Sequence, residues 1–361
     1  MRLVLLGDGD SPHLLKWARA LSAQPGLELW AASSRGFADG FDQLLPAARR
    51  LALDTRPDAA GGNLGLLKDL PRLAAWLRGV QPDWIHAHYL SSHGTLAWLA
   101  RRFFRVPGRL VGSAWGSDIL VTPTRSAALR WATTRVLRAC ALSTSDSRVM
   151  AARMKELGAG AVMVFPFGLE QMPPAPPDKD PDLFFANRGL EPIYAPDRVL
   201  RVFASIAVKR PAARLVVAND GSLRAALERQ AETAGMADRV TFVGRLDAAT
   251  QAGWYARARW YLSLPRSDSV AVSVLEAMAH GMLPVLSDLP ANRELVQDGV
   301  NGLILGDEEL PTATRLHTIE ARAVAVADHN RAWVREHALF GPCVQAFVER
   351  LRAIDRVVDR A

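Results

Sequence analysis

Cysteine is scarce in this chain of 361 residues. Cys140 and Cys343 are the only two, and each stands among apolar neighbours, as a small buried residue would. Two cysteines are too few for a disulfide framework. The composition therefore excludes a small secreted domain held by disulfides and favours a reducing cytoplasm.

Long apolar runs are missing as well. The first residues, MRLVLLGDGDS, contain an apolar run of only four before glycine and aspartate intervene. No later window approaches the roughly 18 apolar residues that a membrane span needs. We therefore expect neither a secretory signal nor a transmembrane segment in this sequence.

Lysine is rare, although the chain as a whole is basic. Lysine and arginine number 44 against 37 acidic residues, which gives a formal net charge of +7. Such a balance can serve nucleic acid, anionic lipid or a phosphate-bearing substrate. The sequence has no run of about five like charges and no zinc-finger spacing, so nucleic-acid binding is not expected. The few lysines are Lys16, Lys68, Lys155, Lys179 and Lys209.

What the sequence does contain is enough apolar material for two domains. Hydrophobic residues make up 49% of the chain and charged residues only 22%, and short apolar runs alternate with helical patterns. The first unit reads as a strand from Arg2 to Leu6, a GDGD turn, and a helix with Ser11 as its cap and Pro12 at its first position. Further strands are predicted at LELWAAS, WIHAH, RLVGSA and ALSTS. The alternation predicts a parallel sheet covered by helices on both faces.

A second alternation follows a proline-rich stretch. QMPPAPPDKDP, residues 171–181, has five prolines and can continue neither strand nor helix, so it is the predicted linker. Strands then follow at DLFFANR, RLVVAND, RVTFVG, WYLSLP and LPVLSD. We therefore predict a Rossmann-like domain over 1–170, the linker at 171–181, a second Rossmann-like domain over 182–335, and a helical segment at 336–361 that packs back towards the first domain.

One segment of the second domain raises a chemical question. In DSVAVSVLE, Asp268 and Glu276 are separated by eight positions, which in one helix would place them about 12 Å and about 80° apart. A strand ending near Pro265 and a helix starting near Val270 would instead put Asp268 at the helix mouth. The two carboxylates would then address different ends of an elongated ligand, with a phosphate at the helix N-terminus. The alternative is that Asp268 or Ser269 is a helix cap and Glu276 a solvated helical residue.

Several motifs share one order with a known family. The run D-x7-E-AMAHGMLPVLSD, with NREL and G-x-NGL after it, resembles the donor-site signature of glycosyltransferase family 4. That family comprises retaining nucleotide-sugar transferases of GT-B fold. SPHLLKWARAL, HAHYLSSHG, SAWGSDIL, VFPFGLE, NRGLEPIYAPD and NDGSLR with RVTFVGRL fall in the family's order, so the resemblance covers nearly the whole chain. It implies two Rossmann-like α/β domains that face each other across a cleft.

The resemblance implies roles on the donor side. Asp268 corresponds to a glutamate that faces the transferred sugar, and it is one methylene shorter. Glu276 corresponds to the carboxylate that accepts the ribose hydroxyls. Ser269, Val270 and Ala271 would present backbone N–H groups to the diphosphate or sugar.

A cation for the leaving group is also implied. Arg188, in NRGLEP, matches the family arginine that neutralises the departing diphosphate, where a fixed charge in a dry site stabilises developing negative charge. The lysine that commonly follows it is absent, since Ile193 and Tyr194 occupy those positions. Arg245 or Arg266 could supply a second charge, with a surface role as the alternative for each. Glu294, in NREL, belongs to the same donor-side signature.

The acceptor side departs from the family. Where the family often has a histidine before a Gly-Ser-Asp turn, this chain has Trp115, which leaves Asp118 as a polar contact or base. His86 and His88 alternate along WIHAH and so project to one face of the strand. One of the two, with His88 as the catalytic candidate, could reach the cleft, and a satisfied core histidine is the alternative for each.

The first turn of the chain would border the acceptor. The resemblance places Gly9 and Asp10 of the GDGD turn there, and His13 would point at the same region from the start of the first helix. Asp8 and Asp10 could mimic a metal-binding DxD. GT-B transferases use a helix dipole and basic residues instead, so no essential metal or other cofactor is expected.

The expected function follows from these assignments. We expect a retaining glycosyltransferase that moves a hexose-type sugar from a UDP- or GDP-linked donor to a glycan or lipid-linked glycan, in lipopolysaccharide, exopolysaccharide or other bacterial surface-glycan synthesis. The alternatives are a nucleotide-sugar epimerase of GT-B fold and a non-catalytic sugar-nucleotide-binding protein. TLAWLARRFFRVPGR, 95–109, has the composition of an interfacial helix for an anionic membrane, with a core helix as the alternative. The expected location is the cytoplasm, with peripheral attachment to the inner face of its membrane.

Overall fold

The computed structural model describes residues 1–55, 64–175 and 178–358. The chain divides into two compact units, one of residues Met1–Phe165 with the chain from Phe340 onward, the other of Pro166–Leu339. The first boundary therefore lies just before the proline-rich segment 171–181. Residues 176 and 177 of that segment, and 359–361 of the predicted C-terminal helical segment, lie outside the described residues.

The first unit contains a seven-stranded parallel sheet in the order β3-β2-β1-β4-β5-β6-β7. Because the order reverses between β1 and β4, ligands of such a sheet bind beyond the carboxyl ends of these strands. The strands are β1 (Arg2–Gly7), β2 (Glu28–Ser33), β3 (Arg50–Ala52), β4 (Trp84–His88), β5 (Arg109–Ser113), β6 (Cys140–Ser145) and β7 (Val162–Val164).

Helices cover this sheet. The first begins as the sequence predicts, with the Ser11 hydroxyl accepting from the His13 N–H at 3.3 Å and Pro12 at the first helical position. A π-helical turn at Tyr89–Gly94 follows β4. The helices are α1 (Pro12–Ser22), α2 (Leu70–Val80), α3 (Thr95–Phe104), α4 (Gly116–Leu120), α5 (Thr122–Arg125), α6 (Ala127–Ala139) and α7 (Arg148–Glu156).

The second unit has a six-stranded parallel sheet in the order β10-β9-β8-β11-β12-β13. Its order reverses between β8 and β11, which marks the carboxyl ends of these two strands as the ligand edge. The strands are β8 (Asp180–Ala186), β9 (Arg214–Ala218), β10 (Val240–Gly244), β11 (Ala258–Ser263), β12 (Leu283–Ser287) and β13 (Leu303–Leu305). The helices are α8 (Pro196–Lys209), α9 (Arg224–Thr233), α10 (Ala248–Arg257), α11 (Val272–Ala279), α12 (Pro290–Arg293), α13 (Ala313–Glu320) and α14 (Ala323–His337).

The last helix, α15 (Phe340–Val358), belongs to the first unit. Its Phe340 and Phe347 pack edge-on against Trp17 of α1, with ring centroids 4.9 and 5.5 Å apart. Trp84 of β4 donates its indole N–H to the Asp355 carboxylate at 3.1 Å. A helix from the far end of the chain therefore closes one face of the first sheet.

The predicted fold class is confirmed: each unit is a Rossmann-like parallel sheet with helices on it. The sequence did not predict β3, β7 and β13, which span three residues each and are too short for a periodic pattern. The π-helical turn and the helices α4 to α6 were not predicted either. Within the described ranges, no helix has both the length and the hydropathy needed to cross a bilayer.

Candidate functional site

The loop between β11 and α11 places the two carboxylates of DSVAVSVLE. The helix begins at Val272, two positions later than predicted, and Ala271 is its cap residue without any side-chain capping bond. Asp268 and Ser269 therefore do not cap α11, which removes that alternative. The first-turn N–H groups, which an α-helix leaves without intrahelical partners, belong to Val272 and its successor rather than to Ser269.

Backbone donors were predicted at Ser269, Val270 and Ala271. All three residues are buried, with exposures of 2%, 6% and 6%. The Ser269 N–H points to Asp268, whose Oδ1 accepts it at 3.0 Å. For Ser269 the prediction is corrected, because its N–H group is occupied by the neighbouring carboxylate.

Arg188 and Asp268 meet at the carboxyl edge of the second sheet. Arg188 lies just past the end of β8, and its Nη2 donates to Asp268 Oδ2. Its Nη1 donates to the Ser273 hydroxyl in the first turn of α11 at 3.3 Å. The two charged side chains are 20% and 18% exposed. The leaving-group arginine and the sugar-facing carboxylate of the predicted site are therefore a partly buried ion pair.

Tyr194 supports the same guanidinium from another side. The Arg188 Cζ lies 4.4 Å from the centroid of the Tyr194 ring, within the range of a cation–π interaction. Tyr194 ends a short 3₁₀ turn, Pro192–Tyr194, and Ala195 after it has a positive φ of 44°. An aromatic ring thus stands at one of the two positions where the family commonly has lysine. Sequence reasoning recorded the missing lysine without foreseeing this contact.

The charge state of the pair follows from its surroundings. Burial raises the pKa of the Asp268 carboxyl, while the Arg188 charge and the Ser269 N–H act to lower it. A guanidinium does not lose its proton in proteins. The site therefore holds a fixed cation at neutral pH, whatever the state of the carboxylate.

Glu276 is held by a separate set of buried polar groups. Its Oε2 accepts from the Tyr255 hydroxyl at 2.9 Å and lies 3.5 Å from Gln251 Nε2, both on α10. The Tyr255 hydroxyl accepts from Asn187 Nδ2 at 2.7 Å, and Asn187 Oδ1 accepts from the Tyr261 hydroxyl at 2.7 Å. Burial raises the pKa of Tyr255 well above its ordinary value, so its hydroxyl remains a donor. Glu276 is half-buried and accepts hydrogen bonds from α10, so it is not a fully solvated helical residue.

Consecutive residues after β8 join the two halves of this site. Asn187 reaches Glu276 through Tyr255, and Arg188 reaches Asp268 directly. Neither Asn187 nor Tyr255 was among the predicted site residues. The signal for Asn187 was its place before Arg188 in the NRGLEP motif, whereas nothing in the local sequence around Tyr255 indicates this role.

The other donor-side candidates lie at the edge of this arrangement. Arg245, after β10, is exposed. Arg266 is also exposed, and its backbone N–H donates to the Ile193 carbonyl at 2.9 Å, which ties its loop to the turn that carries Tyr194. Glu294 is half-buried at the C-terminal end of α12. Arg188, Asp268 and Glu276 are thus the predicted donor-side residues that share one bonded neighbourhood.

In the first unit, His86 and His88 are core residues. His86 is fully buried, its Nε2 lies 2.6 Å from the Ser113 hydroxyl, and burial lowers the pKa of the ring to about 3. His88 is 1% exposed, and neither of its ring nitrogens has a hydrogen-bond partner among the described residues. Both rings pack against Trp17, at centroid distances of 4.7 and 5.2 Å. The His88 ring has almost no exposed surface in this structure, which argues against its assignment as a catalytic residue, although it lies 6.2 Å from the Trp115 ring.

Asp118 is likewise a structural group. It is 2% exposed and accepts the N–H groups of Leu90, Ser91 and Trp115 at 3.1, 3.2 and 3.4 Å, with the Ser91 hydroxyl as a fourth donor. Burial raises the pKa of its carboxyl, and these hydrogen bonds oppose that rise. The carboxylate ties the π-helical turn to the start of α4, so its assignment as acceptor base is corrected.

The first turn of the chain is built around a glycine. A Cβ on Gly9 would lie 2.6 Å from the Gly36 carbonyl oxygen, which leaves no room for a side chain. The two nearby aspartates have different partners. Asp10 pairs with Arg35 at 3.2 Å, and Asp8 accepts from the Ser34 hydroxyl. Each carboxylate is therefore already engaged by a protein group.

An aromatic cluster lies beside this turn. The His13 ring is 4.8 Å from the Trp115 ring, which stacks on Tyr89 at 5.4 Å and an interplanar angle of 19°. All three residues are half-buried. Tyr89 also has a positive φ of 59°, an uncommon conformation for a residue with a large side chain. His13 and Trp115 were predicted here, while Tyr89 was missed although it stands in the HAHYLSSHG motif.

No metal site is evident in the part of the chain that the structure describes, where no three His, Cys, Asp or Glu side chains cluster as ligands would. The expected independence of metal and cofactor stays a prediction.

Comparison with known proteins identifies relatives of both units. Residues 170–314 match the family described as "Glycosyl transferases group 1", and residues 2–147 match "Glycosyl transferase 4-like". A curated relative, D-inositol 3-phosphate glycosyltransferase 2 of Catenulispora acidiphila, is 30% identical over 345 residues, which cover 82% of this chain and 79% of the relative.

Solved structures agree on the fold. HepE of Anabaena, solved in complex with UDP-glucose, has a TM-score of 0.75 at 16% identity, covering 98% of this chain and 100% of that one. Sucrose-phosphate synthase of Thermosynechococcus elongatus has a TM-score of 0.76 at 14% identity, with 98% and 100% covered. At these low sequence identities, the structural similarity is evidence for a shared fold only.

Proposed function

Because the chain belongs to the family 4-type glycosyltransferases of GT-B fold, we propose that it moves a hexose-type sugar from a nucleoside-diphosphate donor to a hydroxyl, with retention of anomeric configuration. The observation that carries the proposal is the bonded neighbourhood after β8. There Arg188 donates to Ser273 in the first turn of α11, and Glu276 lies further along the same helix, held by the buried Tyr255.

Each part of this neighbourhood suits one part of a nucleotide sugar. The Glu276 carboxylate offers acceptors for a pair of ribose hydroxyls, and the Tyr255 hydroxyl fixes its orientation. The N-terminus of α11 offers N–H groups and the positive end of a helix dipole to the diphosphate. Arg188 supplies a fixed cation where charge develops as the diphosphate departs. Asp268, which the family resemblance assigns to the sugar, accepts a hydrogen bond from Arg188. Its carboxylate would therefore compete with the diphosphate for the Arg188 cation.

The proposed chemistry needs no protein nucleophile. The bond between the anomeric carbon and the diphosphate oxygen breaks, and the acceptor oxygen bonds to the same face of the sugar. The acceptor proton passes to the departing phosphate oxygen. This route needs no side chain as the base. It is therefore compatible with the burial of the three candidate bases of the first unit, Asp118, His86 and His88.

The donor base to test first is uracil. HepE, which shares the fold, was solved with UDP-glucose, and a GDP-linked sugar is the second choice. For the acceptor we propose a growing bacterial surface glycan or a lipid-linked glycan, in lipopolysaccharide or exopolysaccharide synthesis, handled on the cytoplasmic side of the membrane. The half-buried rings of His13, Tyr89 and Trp115 offer a platform against which a sugar ring can stack.

The proposal is tested by binding and by product analysis. UDP-, GDP- and ADP-linked sugars are screened by thermal shift, since a ligand that binds only the native state raises the melting temperature in proportion to its affinity. The donor that binds is then incubated with glycan acceptors in the presence of a chelator, and the product linkage is determined by NMR. An α-linked product from an α-linked donor is expected.

Three other outcomes would each overturn part of the proposal. An inverted linkage would exclude retention. A sugar epimer formed without acceptor would identify an epimerase. Donor binding with neither transfer nor slow donor hydrolysis would identify a non-catalytic sugar-nucleotide-binding protein.

A further inference from the structure

Helices α3 and α6 of the first unit lie next to one another, and each exposes a large aromatic side chain. Phe103 on α3 is 64% exposed and Trp131 on α6 is 53% exposed. Trp131 meets Trp98 of α3 edge to face, with ring centroids 6.2 Å apart. Single exposed apolar residues need no explanation, but exposed aromatic side chains on two helices that the Trp98–Trp131 contact joins mark an interaction surface.

Arginines accompany these rings at close range. The Cζ of Arg102 lies 5.4 Å from the Phe103 ring centroid, and that of Arg135 lies 5.3 Å from the Trp131 ring. Because residues four positions apart share a helix face, Arg102 follows Trp98 and Arg135 follows Trp131 on the same side. We call Trp98, Arg102, Phe103, Trp131 and Arg135 the α3–α6 face.

The charge around this face has one sign. From Thr95 to Ala139 the only acidic residue is Asp118, which is buried in its own hydrogen bonds. Arg109 of this stretch pairs with Asp355. Among the described residues no carboxylate lies within ion-pair distance of Arg102, Arg105, Arg130, Arg135 or Arg138, all of which are exposed. An uncompensated cationic surface calls for an anionic partner.

Helix α3 also contributes to the hydrophobic core, which was the alternative interpretation of the segment 95–109. Leu96, Ala97 and Ala100 of α3 are buried in the first unit. Phe104 packs against that core from a half-buried position, whereas Phe103 beside it points to solvent. The helix is therefore a core element on one side and an exposed aromatic and cationic surface on the other.

From this arrangement we infer that the α3–α6 face docks on an anionic membrane surface. Aromatic rings with arginines beside them match the boundary between lipid headgroups and acyl chains, where tryptophan rings settle and guanidinium groups meet phosphates. Arginine also keeps its alkyl stem on apolar surface while its head stays with the phosphates. The inference deepens the proposed function by naming the surface at which a lipid-linked acceptor would be met. It does not depend on the donor chemistry of the second unit.

Vesicle co-sedimentation of the full chain tests the inference. Vesicles of phosphatidylglycerol and phosphatidylcholine in equal parts are compared with phosphatidylcholine alone at about 0.1 M and about 0.5 M NaCl, since salt screens exposed charge. We expect binding to the anionic vesicles only, weakened by salt. The double variant Arg102→Glu with Arg135→Glu should lose at least about tenfold in apparent lipid affinity. Each Lys or Arg near an anionic membrane contributes about 1 kcal/mol to the binding free energy, and this variant removes two such cations.

A matched control separates location from net charge. Arg229→Glu with Arg350→Glu changes the total charge equally at exposed positions outside the face and should keep wild-type binding. Phe103→Ser with Trp131→Ser should lower the binding that remains at high salt. All variants should retain the wild-type melting temperature. Arg102→Gln with Arg135→Gln, a milder change, should give an intermediate loss of binding.

The outcomes are distinct. The inference is overturned if wild type does not sediment with anionic vesicles, if the Arg102→Glu, Arg135→Glu variant binds as wild type does, or if the control loses as much as that variant. Binding to a polyanion such as heparin with no vesicle binding would assign the face to another partner and also overturn it. Sugar transfer to a water-soluble acceptor should be unchanged in the face variants. If the protein bound vesicles but no nucleotide-sugar donor, the proposed function would be refuted and the membrane inference would still hold.

Discussion

Arg188 donates from its Nη2 to Oδ2 of Asp268, so the cation assigned to the leaving group is already neutralised by the carboxylate assigned to the sugar. A diphosphate that approaches Arg188 must therefore compete with Asp268 or share the guanidinium with it. The family glutamate is one methylene longer than this aspartate. The ion pair gives Asp268 two roles that experiments can separate: holding Arg188 in place, and contacting the sugar.

Replacing Asp268 by asparagine tests the first role. Asp268→Asn keeps the shape but removes the negative charge beside Arg188, so the free nucleoside diphosphate should bind about three- to tenfold more tightly, as the loss of a nearby like charge predicts. Isothermal titration with UDP or GDP measures this. Unchanged diphosphate affinity would mean that the carboxylate does not compete for the cation. Asp268→Glu, which restores the family length, should alter preference among donor sugars if the carboxylate also touches the sugar.

Arg188 itself should act mainly on the rate. Arg188→Ala removes a fixed donor from the point where charge develops and should lower kcat by about 10²- to 10³-fold, with a smaller change in the donor KM. Arg188→Lys keeps the charge but cannot reproduce both hydrogen bonds, and an intermediate rate is expected. Initial-rate kinetics distinguish these cases, with the exposed Arg229→Ala on α9 as the matched control. A wild-type rate for Arg188→Ala would refute the leaving-group role.

Tyr194 should matter through its ring rather than its hydroxyl. The Arg188 Cζ lies 4.4 Å from the ring centroid, so Tyr194→Phe should retain the cation–π contact and nearly all activity. Tyr194→Leu should lower kcat by about three- to tenfold, in line with the usual strength of such contacts. The measurement is kcat and donor KM for both variants, together with their melting temperatures. If Tyr194 served only to pack its loop, Tyr194→Leu would lower the melting temperature without a selective fall in kcat.

Tyr255 should tune donor affinity. Its hydroxyl bridges Asn187 and Glu276, so Tyr255→Phe leaves the Glu276 carboxylate one hydrogen bond short and its orientation less fixed. A rise of about fivefold in donor Kd is expected for Tyr255→Phe, because only the orientation of the carboxylate is affected. Glu276→Ala removes the charged acceptor of the ribose hydroxyls and should raise the donor Kd by more than about tenfold, because a hydrogen bond to a charged group contributes about 1.5–3 kcal/mol. Thermal-shift titration with the bound donor provides both values. Equal affinity of Tyr255→Phe and wild type would show that Glu276 is positioned by other contacts.

The buried histidines should make the first unit sensitive to acid. Burial lowers the pKa of His86 to about 3 and also lowers that of His88, whereas in the unfolded chain both rings take up protons near pH 6.5. The unfolded state therefore binds more protons between about pH 6.5 and about pH 3, and the free energy of unfolding falls as pH decreases through that range. Denaturant unfolding followed by circular dichroism at several pH values measures the slope.

His88→Phe removes one of the two titrating groups and fills the same space against Trp17. Its slope of unfolding free energy against pH should be shallower than that of wild type, by up to about 1.4 kcal/mol per pH unit. Carboxylates contribute equally to both proteins, so the difference between them is the informative quantity. Parallel slopes would show that His88 is not protonated on unfolding in this range.

Local sequence identified much of the candidate donor site. Arg188 follows a predicted strand, and Asp268 and Glu276 flank a predicted helix start, so strand ends and helix N-termini were enough to place them on one edge of a parallel sheet. The partners of these residues were not visible in the same way. Asn187, Tyr255 and Tyr261 lie on different elements, and no periodicity or spacing records which of them will face one another.

The misassigned residues of the first unit show the converse limit. Alternation along WIHAH correctly placed His86 and His88 on one face of β4. It could not tell whether that face is open or covered. Trp17 of α1 and Phe347 of α15 lie 4.7 and 5.0 Å from the His86 ring, so a helix from the far end of the chain takes part in covering His86.

The sequence by itself determined that this chain forms two parallel α/β sheets and belongs with the nucleotide-sugar transferases, because strand and helix periods and motif order are local properties of the chain. Only the tertiary structure decided that Arg188 pairs with Asp268, that Asp118 and His88 are interior groups, and that Phe103 and Trp131 are exposed, each beside an arginine. Burial and partner choice are set by contacts between residues distant in sequence, since water is excluded by whatever packs against a side chain and not by its neighbours along the chain.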